Sequence, residues 1–600
     1  MTSEISTEIR QFGAERIEVA FRKAQSLDTQ NRGIELQTTS RIEFKPGVST
    51  LKKGTTFIEH GVALPCDIVW QRDVGVKMRD GVTIYADIFL PAAAEKLPAI
   101  LSWSPYGKTL PQPAPPGVPA SAVSGLQKFE GPDPAYWCNH GYAVINVDAR
   151  GSFFSEGDIY YWGTVSANDC YDFIQWTAVQ DWCNGKVAMS GNSWLGIIQW
   201  FAAAQNPPHL AAIAPWEGHI DLYRCDVLRG GIPDTAFNNM NTGTQIGLNR
   251  IEDMTAMVQK YPLMNGYWQD KAPQLEKIAM PAYVVASWGG HHTIDAFRRI
   301  SSREKWLRLH NTGEWPDYYE YAEDLRRFFD HFLKDVNNGW VRTPRVRLSI
   351  LDPGGADQVN RPEEEWPLAR TRYEKFYLDA AKGTLSPTPV AKESLARYRS
   401  DDNQGELAFT ISFEKDIQFA GYVSLRLWIE TDNSDDADLF VLVHKLNAVG
   451  KPVLGGFGFV GPDGRLRASH RRLDSSRSTP WFPFHPHDRE ELLKTGQAVP
   501  VDIEIRPLGM RWHAGEKLRL VVAGYNVLGR YRKGSPGGMG LPGLATRNRG
   551  YHTIHTGGRY DSCLLMPRIE APNKLPDGPA RRSRHPRETL ERASLQSQVS

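Results

Sequence analysis

The 600-residue sequence predicts an α/β domain built on a mostly parallel sheet, followed by an all-β domain. Two observations carry that prediction. As far as residue 337, short apolar runs alternate with helical patterns, and such alternation implies parallel strands covered by helices on both faces. Beyond it the runs are separated by Gly, Pro, Asn and Asp turns and long helical stripes cease, the texture of an antiparallel sandwich or jelly roll over 339–572. The length agrees, because a single hydrophobic core stops growing well short of this size.

Residues 1–65 read as an N-terminal extension with one amphipathic segment, 8–27. The α/β part, 66–338, opens with IVWQRDVGVKMRDGVTIYADIFLP, strands joined around Arg79-Asp80-Gly81. PAILSWSPYG (98–107), GYAVINVDARG (141–151) and GKVAMSGNS (185–193) each end in polar or Gly residues, as strands buried on both faces do. Helical patterns cover 168–180 and 194–204. LAAIAPWEG, AYVVASWGG and KWLRLHN continue the strands, and Leu325, Phe328, Phe329, Phe332 and Leu333 form one stripe of a helix over 322–335. The Met-rich stretch 219–280 breaks this rhythm and is expected to be an inserted helical cap. RVRLSIL, KFYLD, GYVSLRLWIE, DLFVLVHKL, VDIEIR and LRLVVAG are the expected strands of the second domain. The polar, Arg-rich stretch 573–600 is expected to be a disordered tail.

Seventy basic against 69 acidic side chains leave a formal charge of +1, which offers no field for steering nucleic acid or an acidic membrane surface. Six cysteines, at 66, 138, 170, 183, 225 and 563, are scattered without metal-site spacing and are expected to be reduced thiols. No stretch approaches the ~20 apolar residues that cross a bilayer, and the first residues lack the apolar core of a secretory signal. The expectation is a soluble cytoplasmic protein without cofactor or metal, with self-association left open.

The chemistry concentrates at GNSWLG (191–196), where a buried strand meets a helix. A serine on so tight a turn projects its hydroxyl above the sheet edge, and flanking glycines are needed because side chains there would collide with neighbouring elements. The segment is G-x-S-x-x-G, with Leu195 at the usual second-glycine position.

RDGVTIYADIFLP, SPYGK, GYAVINVDARGSFFSEG, WCNGKVAMSGNSWLG and PPHLAAIAPWEGHIDLYR, followed by DDADLFV, GRLRASHRRLD and GYHTIHTGGRYDS, occur in an order that resembles the CocE/NonD hydrolases. That family includes cocaine esterases, α-amino-acid ester hydrolases and X-Pro dipeptidyl-peptidases. The resemblance spans roughly 66–570 and implies an α/β-hydrolase fold with a cap, then a β-sandwich. It implies Ser193 as nucleophile, with the Tyr106 phenol and the Trp194 backbone N–H as oxyanion donors, each worth about 10²–10³ in rate.

In this family the triad acid follows the strand after the cap as G-W-x-D, and the histidine follows the next strand as G-P-W-x-H. Here the two sites read SWGGHHTIDAF and HNTGEWPDYY. A triad requires only a base within reach of the serine and a carboxylate to orient it, whichever strand supplies each. An exchanged arrangement is therefore expected, with His292 or His291 as base and Glu314 or Asp317 as acid; the usual order would use His310 and Asp295.

Other conspicuous residues are expected to be structural. Asp148 and Arg150 would form an internal ion pair, His552 and His555 would pack against the catalytic domain, and Asp435, Asp436 and Asp438 would lie on a solvated turn. Asp295, if not the acid, would be exposed beside Arg298 and Arg299. Glu252, Asp253 and Asp270 are the cap carboxylates available to hold a substrate α-amine. The expected activity is hydrolysis of a small ester or amide through an acyl-serine, esterase ahead of peptidase. The alternatives are X-Pro dipeptidyl-peptidase activity, a non-hydrolytic tailoring step in the same pocket, and a binding protein without catalysis.

Overall fold

Parallel pairing organises the first part of the chain. The computed structural model describes residues 5–27, 43–92, 95–108, 114–290, 292–531, 546–570 and 581–582. His291 and, apart from 581–582, the stretch expected to be a tail lie outside the described residues. Across the large sheet the strands run Gly47–Leu51, Ile68–Lys77, Thr83–Pro91, Ala143–Asp148, Leu97–Ser104, Cys183–Asn192, Leu210–Trp216, Ala282–Ser287, Lys305–His310, Val346–Ile350, Ala356–Glu363 and Arg581–Arg582. From Ala143–Asp148 to Val346–Ile350 every neighbouring pair is parallel. The flanking pairs are antiparallel. Leu97–Ser104 and Ala143–Asp148 are buried at every position, which is why they read as continuous apolar runs.

The helices Gly163–Ala178, Trp194–Ala204 and Ala322–Leu333 cover this sheet, close to their expected positions. The insertion is mostly helical, with Ala236–Thr244, Met254–Lys260 and Gly266–Asp270 preceded by a π-helical turn, Tyr223–Val227. Its short strand Arg250–Glu252 pairs with Glu15–Lys23 of the N-terminal segment. That segment, read from sequence as one amphipathic stretch, is an antiparallel hairpin of Ser6–Phe12 and Glu15–Lys23 turned at Gly13 (φ 57°).

In the C-terminal domain nine strands close on themselves, from Ile417–Thr431 round to Cys563–Ile569 and back. Tyr551–Thr556 and Ser394–Arg399 extend from the same long strand. The segment RVRLSIL does not open this domain as expected. Val346–Ile350 pairs instead with Lys305–His310, and a short alternating strand carries no signal for which of two sheets it joins.

Several structural expectations need correction. Asp148 and Arg150 do not pair with each other: Asp148 bonds Lys108 at 3.2 Å, and Arg150 forks onto Asp169 at 2.8 and 2.6 Å. Asp436 and Asp438 are buried, the first on Ser469 and the second on Arg467; only Asp435 is exposed. His552 bonds Tyr398 and His555 bonds Glu430, so both are held inside the β domain and not against the catalytic one. These buried charges are matched by partners, as burial requires.

Candidate active site

Ser193 stands between the strand Cys183–Asn192 and the helix Trp194–Ala204 with φ 55° and ψ −118°. A side chain in that region of backbone space costs about 1–3 kcal/mol, so surrounding contacts must impose it. Three hydrogen bonds do so: Ser193 N–H to the Trp216 carbonyl at 3.0 Å, Asn192 N–H to Glu130 O at 2.9 Å, and Ile197 N–H to Ser193 O at 2.8 Å.

The glycine spacing follows from contacts. A Cβ on Gly191 (φ 142°) would lie 2.4 Å from Leu195 Cβ, and one on Gly196 would lie 2.4 Å from the Trp216 carbonyl oxygen. Leu195 fits because Gly191 leaves room for it, and the close strand–helix approach falls one residue later, on Gly196.

Trp194 begins the helix, so its N–H is among those left without an intrahelical acceptor. Its ring packs on that of Tyr106, centroids 6.0 Å apart, and Tyr106 packs in turn on Phe129 at 5.7 Å. The structure thus packs Tyr106 on the ring of Trp194, the residue after Ser193.

It does not assemble the exchanged triad. His292 Nδ1 faces Cys225 Sγ at 2.9 Å and its Nε2 faces Glu504 Oε1 at 2.5 Å, so both ring nitrogens are engaged away from Glu314. Glu314 Oε2 accepts from the Asn192 side-chain amide at 3.1 Å. Asp317 is bound bidentately by Arg308 and accepts from Trp216 Nε1 at 2.9 Å. Nor does the usual order form. Asp295 is buried, not exposed, and pairs with Arg298 at 2.6 Å, while His310 Nε2 lies 2.8 Å from Glu217 Oε1.

Glu217 is the residue that sequence reasoning missed. It follows the strand Leu210–Trp216 directly, with φ 47°, and its carboxylate accepts from Ser287 N–H at 2.5 Å. A Cβ on Gly290 would lie 2.8 Å from Glu217 Oε2. Gly290 stands two residues after Trp288, where the G-W-x-D pattern has its acid, so a carboxylate reaches that space from a different strand.

The electrostatics follow from this crowding. Burial, then the charge of Glu217, pushes the Glu314 carboxyl up to about 7, against the opposing effects of Asn192 and His310. Burial depresses His310, but the Asp317 charge and the Glu217 hydrogen bond and charge outweigh it and leave the imidazole above its ordinary value. His219, also missed, is buried against Trp162 at 4.9 Å, and Trp162 packs on Trp194 at 4.3 Å. Burial pushes His219 down to about 3.

Residues 80–250 match the X-Pro dipeptidyl-peptidase (S15 family) model, and 338–565 match the X-Pro dipeptidyl-peptidase C-terminal non-catalytic domain. A CocE/NonD family hydrolase from Staphylococcus aureus is 35% identical, with a TM-score of 0.81 over 90% of this chain and 99% of that one. The chain belongs to the CocE/NonD hydrolase family. Cocaine esterase from Rhodococcus is 27% identical over 55% of this chain and 67% of its own length. An α-amino acid ester hydrolase shares the fold at 17% identity, with a TM-score of 0.63 over 84% of this chain and 97% of the other. Within this CocE/NonD member, Ser193 stands on a strand–turn–helix, while the loops after Ser287 and His310 read SWGGHHTIDAF and HNTGEWPDYY.

Proposed function

We propose that the protein hydrolyses ester or amide bonds of small organic substrates through an acyl-Ser193 intermediate, with Glu314 as proton acceptor. The observation that carries this reading is the strained Ser193 turn, held by hydrogen bonds on both sides at the start of a helix. Ser193 Oγ attacks the substrate carbonyl as its proton passes to Glu314. The Trp194 N–H and the Tyr106 phenol receive the developing oxyanion. Collapse expels the alcohol or amine, which takes the proton from Glu314, and water then repeats the sequence on the acyl-enzyme.

A glutamate with an ordinary pKa near 4.3 is a weak general base, whereas one raised to about 7 is matched to neutral pH. His219 is the competing base, since neither ring nitrogen has a hydrogen-bond partner among the described residues. At about 3 its proton affinity is far lower, which favours Glu314. Glu217, paired with His310, would set that affinity by its charge.

Esterase activity is favoured over aminopeptidase activity because the cap carboxylates are engaged. Glu252 holds Lys271 at 2.9 Å, Asp253 caps the helix Met254–Lys260, and Asp270 accepts from Thr164. The test is Ser193→Ala, assayed on short acyl esters and with a fluorophosphonate probe. Loss of about 10⁴–10⁶ in rate and of labelling is expected. More than a tenth of the activity in a folded variant would overturn the assignment.

A further inference from the structure

The contacts that remove His292 from Ser193 build a different constellation. Cys225 comes from the π-helical turn of the insertion, His292 from the loop after Ala282–Ser287, and Glu504 from the strand Val499–Trp512 of the β domain. The sulfur lies 2.9 Å from His292 Nδ1, and Glu504 Oε1 lies 2.5 Å from His292 Nε2. This is the order a thiol nucleophile requires: sulfur, imidazole, and a carboxylate that fixes the tautomer. His292 is kept left-handed, at φ 56° and ψ 9°, a conformation that a non-glycine residue holds only where its surroundings impose it. Single-turn π-helices recur at functional sites.

Two members of the constellation, His292 and Glu504, border a cavity of about 50 Å³, whereas Cys225 is buried and stands outside its lining. Ile220, Arg224, Arg299 and Arg477 line it too, together with the carboxylates Asp221 and Asp295. Ile220 and Arg224 are on the same chain segment as Cys225. Arg224 is paired with Asp221 and Arg299 with Glu276, but Arg477 has no carboxylate within ion-pair distance among the described residues. Its guanidinium lies 3.6 Å from the ring centre of Phe484. Burial and then the neighbouring Arg224 and Arg299 charges lower the Arg477 pKa, against the smaller opposing effects of Asp221 and Asp474.

We propose that Cys225, His292 and Glu504 form a second nucleophilic centre that takes small electrophiles carrying a carboxylate or phosphate. In the step, the Cys225 thiol proton passes to His292 Nδ1 while His292 Nε2–H stays on Glu504. The sulfur forms a bond to the electrophilic carbon, and the bond from that carbon to its leaving group breaks with its electron pair. The arginine rim holds the anionic end.

Iodoacetate is the matched probe and iodoacetamide its neutral control; in each, an S–C bond forms and iodide leaves. The full-length native protein is treated with either reagent, and alkylation of all six cysteines is followed by peptide mass spectrometry. Cys225 is expected to react at least tenfold faster than the half-buried Cys66. Its iodoacetate-to-iodoacetamide ratio should exceed that of glutathione in the same buffer. His292→Gln should slow Cys225 at least tenfold, with Glu504→Gln as the second variant if the first fails to fold. Arg477→Ala should lower the iodoacetate ratio towards that of glutathione. Protection of Cys225 until denaturation, or a rate unchanged in the folded His292→Gln or Glu504→Gln variant, would overturn the nucleophilic centre. A ratio at or below that of glutathione would overturn the anionic ligand class.

Discussion

The side-chain amide of Asn192 lies 3.1 Å from Glu314 Oε2, tying the residue before Ser193 to the first turn of the helix Glu314–Glu320. The bond stabilises the charged carboxylate and therefore works against the burial that raises its pKa. Asn192→Ala removes the donor, so the proton affinity of Glu314 should rise further. The acidic limb of the kcat/KM profile should move to higher pH, with activity at neutral pH falling and activity at high pH partly kept. A profile that drops uniformly, without moving along the pH axis, would contradict this role.

Wild-type kcat/KM should rise with pH through an inflection near 7, where Glu314 loses its proton. Glu314→Gln should abolish the inflection along with most of the rate. Stability should report the same group with its own sign. The folded state holds a proton that the unfolded chain releases near 4.3, so this contribution is complete below about 4.3, declines as pH rises towards 7, and is constant beyond. Urea midpoints of wild type and Glu314→Gln across that window would show the difference, since the glutamine removes this decline.

Much of the strained turn at Ser193 was legible because its determinants are local. A buried strand, a glycine, the serine and an apolar helix are contiguous in GNSWLG, and the steric reason for each glycine lies within a few residues or in the adjacent strand. The partners of His292 were not legible. Cys225 and Glu504 belong to the cap and to the β domain, and no periodicity or spacing links either to the loop after Ser287. Glu217 was hidden for a related reason: a single acid after a strand end gains meaning only when the neighbouring strand shows Gly290 in place of an acid beside it. The destination of Val346–Ile350 likewise depended on a pairing that its own alternation could not specify.

Asp317, which sequence reasoning offered as an orienting acid, is engaged in the fold. Arg308 is buried and binds it bidentately, and Trp216 Nε1 donates to it at 2.9 Å. Asp317→Asn strands a buried guanidinium, and breaking such a pair costs about 3–5 kcal/mol. A fall of that size in unfolding free energy is expected, read from urea titration. The double variant Arg308→Met, Asp317→Leu should recover part of it, because it leaves no unpaired charge. If Asp317→Asn kept wild-type stability and lost only activity, a role at the reacting atoms would be favoured over this structural one.

The sharpest test of the Ser193 turn uses two glycines, one at the close strand–helix approach and one in the loop after Ser287. A methyl group on Gly196 would sit 2.4 Å from the Trp216 carbonyl oxygen, the atom that accepts from Ser193 N–H. That neighbour is backbone and cannot rotate away, so Gly196→Ala must push the helix Trp194–Ala204 off the strand Leu210–Trp216. Overpacking of this kind costs about 1–3 kcal/mol. The larger effect should be on rate, because the displaced helix carries the Trp194 N–H, and a misplacement of about 1 Å can cost 10²-fold. Gly289→Ala is the control, since a methyl group there meets nothing closer than Ser287 Oγ at 3.7 Å. It should retain stability within about 0.5 kcal/mol. Equal losses of rate in the two variants would mean that the loop after Ser287, and not the close approach at Gly196, governs the position of Ser193.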